Sequence, residues 1–263
     1  MELGASAKAA SYRLIVRDSV GSTNEDAMRL ARGGESGRLW LVAREQLQGR
    51  GRRGRTWSSP PGNLYASLLL IDAAPSEHLA ELSFVASVAL LNAMRAILGN
   101  DPRLGVKWPN DILFDGAKLS GILLECSLLP NGTTACVAGF GVNCRYHPAT
   151  LPYAATDLAS IGTALSAPED VLLRLSDTVV EMLGIWAKGA GFAEIRSRWL
   201  ADALGVGEPI RVAQGNTTLS GIFETIDGRG RLILRDGPNT RAIEAGDVFL
   251  PSRSLTHQPA ASA

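Results

Sequence analysis

Leu39-Trp40-Leu41-Val42-Ala43, Gly49-Arg50-Gly51-Arg52-Arg53-Gly54-Arg55 with Trp57 close behind, and Leu64-Tyr65-Ala66-Ser67-Leu68-Leu69-Leu70-Ile71 together decide how this chain is built. The outer segments are short apolar runs rich in β-formers, the pattern of buried strands. The basic run between them is therefore a loop inside a fold and not a disordered tail. Four arginines and three glycines share its seven residues. Glycine lets a backbone approach a ligand closely or take φ > 0. Arginine offers planar, permanently charged donors that suit phosphate and carboxylate. The combination suggests a mobile loop that grips an anion, a nucleic acid or the phosphates of a small molecule; a solvated surface loop is the third reading of the run taken alone.

The whole chain favours the smaller partner. Its 263 residues carry Lys+Arg 26 against Asp+Glu 26, so the arginine loop is a local concentration of charge on a neutral molecule. A protein built to coat nucleic acid usually shows a basic domain. Hydrophobic content of 46% with 20% charged residues fits an ordinary globular protein able to bury a core. The longest apolar stretch, Leu79 to Leu98, is interrupted by Glu81, Ser83, Asn92 and Arg95 and reads as a core helix. The first ten residues lack the apolar centre of a secretory signal, which places the protein in the cytoplasm, without a membrane partner. Cys126, Cys136 and Cys144 have no metal-type spacing. Cys126 and Cys136 lie in strand-like runs and are expected to be small buried hydrophobes.

Upstream of the loop, a strand is predicted at Tyr12 to Val16 and a helix at Asn24 to Arg32. Ser22 or Thr23 is positioned to cap that helix, Glu25 and Asp26 oppose its dipole, and Gly33-Gly34 ends it. Downstream, a helix from Glu77 to Leu98 precedes strands at Leu104 to Lys107, Ile112 to Phe114, Leu119 to Leu129 and Thr133 to Val142. The last two flank Pro130-Asn131-Gly132, a hairpin turn signal. Hairpin-linked strands imply a mixed or antiparallel sheet with the helices on one side, an α+β fold. Helices follow near Pro168 to Ala187 and Phe192 to Ala203. From Gly205 the texture becomes short strands, near Ile210 to Val212, Thr217 to Ile226, Arg231 to Leu234, Ala242 to Ala245 and Val248 to Leu250. The expected organisation is a disordered tail (1–11), a main domain (12–205), a small β-barrel domain (206–252) and a second tail (253–263).

Three further clusters carry polar chemistry. Lys107-Trp108-Pro109-Asn110-Asp111 joins two strands through a turn, and Lys107 ends an apolar strand, where a cation can face a cleft. Lys118-Leu119-Ser120-Gly121-Ile122-Leu123-Leu124-Glu125 opens another strand, with Gly121 where a ligand or backbone can approach. Gly139-Phe140-Gly141-Val142-Asn143 ends a third, and Asn143 can present both donor and acceptor. Each alone also reads as a turn or a surface charge. His78, His147 and His257 are scattered, and neither a metal-ligand set nor a nucleophile triad is visible.

In this order, with Ser22-Thr23-Asn24 at the start, the clusters resemble the motifs of biotin protein ligases. The resemblance spans roughly residues 13 to 250, and Ser120 departs from the Ala or Gly more usual there. It implies the biotin/lipoate ligase catalytic fold, related to class II aminoacyl-tRNA synthetases, followed by a small SH3-like β-barrel. Only about eleven residues precede the first strand, so the implied class is the monofunctional one, without a DNA-binding domain. The implied reaction uses ATP and Mg²⁺ to convert biotin to biotinyl-5′-AMP. The biotinyl group then passes to a lysine of a biotin carboxyl carrier domain, a subunit of acetyl-CoA carboxylase.

Carried over on that resemblance, Ser22, Thr23 and Asn24 hold the biotin head, and Gln46, Arg50, Gly51 and Arg52 close over biotin and phosphates. Arg52, Arg53, Arg55, Trp57, Lys107, Asn110 and Asn143 belong to the nucleotide side. Lys118 meets both biotin carboxylate and α-phosphate; with Arg52, Lys107 and Asp111 it forms the catalytic set. A lipoate or octanoate ligase or transferase of the same fold is the near alternative, and a non-catalytic nucleic-acid clamp the remote one. A free strand edge near 133 to 143 is a candidate dimer contact.

Overall fold

The computed structural model describes residues 1–215 and 217–250. The second expected tail, 253–263, lies outside them, as do the last two residues of the expected small domain. The first turns of the chain are β1 (Arg13–Val20), α2 (Thr23–Arg32) and β2 (Leu39–Gln46), preceded by a short α1 (Ala5–Ala9). Because a helix carries the chain back between them, β1 and β2 pair in parallel. Then come β3 (Leu64–Ile71), α3 (Leu82–Leu98), β4 (Leu104–Lys107), β5 (Asp111–Phe114), β6 (Ala117–Leu128) and β7 (Thr134–Val142). These strands form one seven-stranded sheet in the order β1-β2-β3-β7-β6-β5-β4. Apart from β1 with β2, its neighbours are antiparallel.

The sheet is covered on both faces, which refines the expectation that the helices share one side. Strand alternation explains it. Trp40, Val42, Leu68, Leu70, Cys136, Ala138 and Phe140 point to a core shared with α3 and α5 (Pro168–Trp186). Their neighbours Leu39, Leu69, Ala135 and Val137 point the other way, onto Ala27, Met28 and Ala31 of α2. Helix α3 is buried almost all round, from Leu82 to Met94, as an apolar helix without a polar stripe must be. With the 3-10 turn before it, Ser76–Leu98 is long and apolar enough to cross a membrane by length and composition, yet it is mostly buried in this core.

Three expectations are corrected. Residues 1–11 are not a disordered tail. Leu3 and Ala7 are buried in the core, Gly4 N donates to Ser176 Oγ (2.8 Å) and Ala7 N to Asp177 Oδ1 (3.0 Å), so α1 is held on α5. Strand β7 offers no free edge, because β3 and β6 flank it on both sides; length and hydrophobicity do not reveal a strand's place in the sheet. Cys126 is exposed whereas Cys136 is buried: β7 has β3 and β6 on either side at Cys136, while the pairing of β5 with β6 ends at Gly121 and leaves Cys126 with β7 on one side alone.

After α4 (Leu158–Ile161) and α6 (Phe192–Ala201), strands β8 (Pro209–Gln214), β9 (Thr217–Ile226), β10 (Leu232–Asp236), β11 (Asn239–Ile243) and β12 (Asp247–Phe249) build a separate antiparallel sheet in the order β11-β10-β9-β8-β12. It is fastened to the main unit through buried contacts. Trp108 Nε1 donates to Gly230 O (3.1 Å), and Gly230 packs on the Phe84 ring so tightly that a Cβ there would stand 2.3 Å from it. Arg196 Nε donates to Ile226 O (2.6 Å). The small domain thus sits on the same Lys107–Asp111 segment that reaches the candidate site.

Candidate functional site

One end of the site is a buried row of polar side chains at the start of α2. Ser22, Thr23 and Asn24 are all buried. Ser22 occupies the N-cap position, but its hydroxyl does not cap the helix. Instead Gln46, at the end of β2, accepts from both Thr23 N (2.9 Å) and Thr23 Oγ1 (3.0 Å). Ser67 Oγ, fully buried in β3, lies 2.8 Å from Thr23 Oγ1 and 2.6 Å from Asn24 Oδ1. Asn24 Nδ2 donates to Leu123 O (3.2 Å) and Glu125 Oε2 (2.8 Å). Asn24 fits because residue 139 has no side chain: a Cβ there would stand 2.2 Å from Asn24 Oδ1. Buried polar groups must be partnered, and this row partners itself through three strands and a helix.

The arginine loop is ordered and its cations are divided. Gly49 is required by space, since a Cβ would meet Ser59 Oγ and Trp57 O at 2.4 Å; Gly54 is required by its φ of 71°. Arg50 turns toward two carboxylates, Glu25 (3.7 Å) and Glu125 (4.0 Å). Arg52 donates to Asn110 Oδ1 (3.3 Å) and lies 3.5 Å from Gly246 O. Burial pulls the Arg52 pKa down from its usual value, opposed by the nearby carboxylates of Asp247 and Asp111. Arg53 and Arg55 both reach Asp247, at 3.1 and 2.5 Å. Partial burial pushes that carboxyl up, but Arg55, Arg53 and Arg52 more than compensate and hold it below the usual range. Asp247 begins β12, so the small domain grips the loop directly.

Between these two parts lies a compact charge cluster. Lys118 Nζ is 2.7 Å from Asp111 Oδ1, and Lys107 Nζ is 3.5 Å from Asp111 Oδ2. Lys118 also stands over the rings of Trp57 (5.4 Å) and Tyr153 (5.6 Å), where a cation is favoured. Trp57 packs on bare backbone: a Cβ on Gly141 would stand 2.6 Å from its Nε1, and one on Gly121 3.3 Å from its ring. Its indole N–H is buried and finds no partner among the described residues. Asn110 is buried and donates to Ile122 O, which points its carbonyl oxygen at Arg52. Asn143 Nδ2 donates to Thr156 O (3.0 Å) and Lys118 O (3.4 Å), so its amide fastens the segment beside Lys118.

The structure therefore brings Lys118, Lys107, Asp111, Asn110, Arg52 and Trp57 into one cluster, with Thr23, Asn24 and Gln46 beside it through the Trp57–Ser59–Gln46 hydrogen bonds. Gly51 closes the base of the loop, its N–H donating to Arg55 O (2.7 Å). Arg50, Arg53 and Arg55 face carboxylates at the cluster's edge. Sequence reasoning assigned no part to Ser67, Glu125, Tyr153 or Asp247. Ser67 carried a usable signal, a hydroxyl inside an otherwise apolar strand. Asp247 carried none, because its partners lie almost two hundred residues away. A cavity of about 550 Å³ between Tyr12, Arg38, Asp72 and Lys188 shares no residue with this cluster.

Residues 20–143 match the model of the Biotin/lipoate A/B protein ligase family, and residues 205–250 match the Biotin protein ligase C terminal domain. The chain is 42% identical over 236 residues to a biotin–[acetyl-CoA-carboxylase] ligase of Paracoccus denitrificans, covering 87% of this chain and 96% of that one. It is 31% identical over 242 residues to the protein of the same name from Mycobacterium tuberculosis, covering 90% and 88%. A biotin protein ligase from Aquifex aeolicus in complex with biotin and ATP has the same fold, with a TM-score of 0.74 and 29% identity over 90% of this chain and 97% of that one.

Proposed function

We propose how this site works from one premise: the chain belongs to the biotin protein ligase family. It is an enzyme that uses ATP to attach biotin to the carrier protein of a carboxylase. The observation that carries the assignment of roles is the convergence of the arginine loop, Lys107–Asp111 and Lys118 beside the buried polar row of Thr23, Asn24, Gln46 and Ser67.

The polar row receives the biotin head. A ureido group offers N–H and C=O groups that can exchange partners with Ser22, Thr23 and Asn24. An aliphatic acyl end offers such groups no hydrogen bond and so forgoes the contacts that a ureido group can make. This favours biotin over lipoate or octanoate. The acid's carboxylate then points toward Lys118. In the first step a carboxylate oxygen attacks the α-phosphorus of ATP, the bond to pyrophosphate breaks, and the acyl-adenylate forms. The carboxylate is already ionised, so no general base is needed. What the chain supplies is alignment and positive charge, from Lys118, Lys107 and Arg52. Asp111 fixes both ammonium groups and is thereby a positioning residue more than a base. Trp57, bare on its Gly121 and Gly141 floor, walls the nucleotide side.

In the second step a neutral lysine amine of the carrier attacks the acyl carbon. The C–N bond forms, AMP leaves, and the proton passes to solvent or to Asp111. Magnesium usually keeps water and substrate phosphates as ligands, with one or two carboxylates. Among the described residues no group of three or more His, Cys, Asp or Glu forms a cage. Asp111 would be the carboxylate that meets a phosphate-borne Mg²⁺, and the ion would neutralise phosphate charge. An ATP-dependent enzyme acting on a carboxylase carrier works in the cytoplasm, and nothing in the reaction calls for DNA.

The test is pyrophosphate release from ATP and Mg²⁺ with biotin, lipoate or octanoate in turn, followed by addition of a carrier domain. Biotin-dependent release and label on one carrier lysine are expected. Release with lipoate or octanoate alone would overturn the assignment of the polar row.

A further inference from the structure

Cys126 on β6 and Cys136 on β7 are directly opposed partners across the antiparallel pair. Directly opposed Cα atoms in such a ladder lie ~4.5 or ~5.5 Å apart, inside the ~4.4–6.8 Å that a disulfide spans. Both side chains point to the same face of the sheet, and their sulfur atoms are 2.6 Å apart. The two sulfurs differ in access. Cys136 is buried in the core beside Leu70 of β3, while Cys126 is exposed on the part of β6 that β5 does not pair with. The third cysteine, Cys144, is completely buried, and burial pushes its thiol up to about 12.

We propose that Cys126 and Cys136 are a reversible thiol–disulfide site, with Cys126 the entry thiol and Cys136 the resolving one. The oxidant is a low-molecular-weight disulfide. The Cys126 thiolate attacks one of its sulfurs, forming a mixed disulfide and releasing one small thiolate. The Cys136 sulfur then attacks Cys126 Sγ, the mixed bond breaks, and the second small thiolate leaves. Two protein thiols give up two protons and two electrons, and one small disulfide becomes two small thiols. The hydrogen bond from Cys136 holds the Cys126 thiol below its usual value, which favours attack from that side. The new bond would staple β6 to β7 on the sheet face opposite Asn24 and Glu125, so adenylate formation should survive it.

The experiment exposes the reduced full-length protein to oxidised glutathione, followed by intact-mass and peptide mapping and by thiol counting after denaturation. Expected are a loss of two hydrogen atoms, a 126–136 cross-linked peptide, a single remaining thiol at Cys144, and a Tm raised by a few degrees through closure of a short loop. Dithiothreitol should reverse all of these. Cys136→Ser should stop at a stable mixed disulfide on Cys126, and Cys126→Ser should not react. Three free thiols after oxidation, or a wild-type mixed disulfide that never resolves, would overturn the proposal. Because the readouts are mass and thiol count, the result stands apart from the ligase assignment.

Discussion

The Gly139→Ala substitution offers a sharp test of the polar row, because it adds one methyl group at a position that contacts no ligand in the proposed arrangement except through Asn24. The added Cβ would stand 2.2 Å from Asn24 Oδ1 and 2.9 Å from its Cγ, closer than real Cβ contacts come. The Gly139 strand is held on both sides by β3 and β6, so the side chain of Asn24 must move. Moving it breaks contacts to Glu125, Leu123 and Ser67. At about 1 kcal/mol net per hydrogen bond, the loss is about 2–3 kcal/mol, or roughly 30- to 150-fold in an equilibrium constant. The assay is pyrophosphate release at varied biotin and varied ATP, together with urea unfolding. The expected result is a biotin KM raised at least tenfold with an ATP KM changed less than about threefold. Gly141→Ala should do the opposite, since its Cβ would stand 2.6 Å from Trp57 Nε1 and displace the nucleotide-side wall. If Gly139→Ala kept a biotin KM within about twofold of the parent, Asn24 would not be pinned as described and the reasoning would fail.

Lys118→Ala should lower single-turnover adenylate formation by about 10²-fold or more, as loss of a charge aimed at the developing transition state does, while Asp111→Asn should give a smaller loss by freeing both lysines; unchanged formation in Lys118→Ala would refute its role. Asp247→Asn should raise the ATP KM by roughly threefold to tenfold, because its two ion pairs to Arg53 and Arg55 are half-exposed and worth about 1 kcal/mol or less each. The folded-state pKa of Asp247 is depressed, so its stabilising contribution is present above the ordinary aspartate value of about 3.9 and is lost as pH falls through the lower folded value. The stability gap between parent and Asp247→Asn should therefore close in acid, as read by urea unfolding at pH 7 and pH 3; a constant gap would argue against an ion pair. Deleting residues 1–10 should lower the Tm measurably through the loss of Leu3, Ala7 and the bonds to Ser176 and Asp177, with kcat nearly unchanged; an unaltered Tm would return these residues to the status of a tail.

Much of this protein is determined locally. Val, Leu and Ile runs of strand length, the Asn131-Gly132 turn, Gly33 after α2 and Gly99 after α3 place the elements to within a few residues, because capping, turn geometry and side-chain period act over distances of a few residues. The motif residues are legible for the same reason: Lys107–Asp111 and Lys118–Glu125 carry unusual polar groups at strand ends. What a side chain touches is decided by which strands become neighbours, and that depends on the whole chain. Hence the interior place of β7, the second helical layer under α2, and the exposure of Cys126 appear only in the folded molecule. The same holds for Asp247. A lone aspartate before Val248 has no local signature, yet β12 brings it against Arg53 and Arg55. The local sequence marks the arginines as cations in search of an anion; tertiary packing chose which carboxylates hold Arg50, Arg53 and Arg55 and gathered Lys118, Lys107 and Arg52 around Asp111 and Asn110.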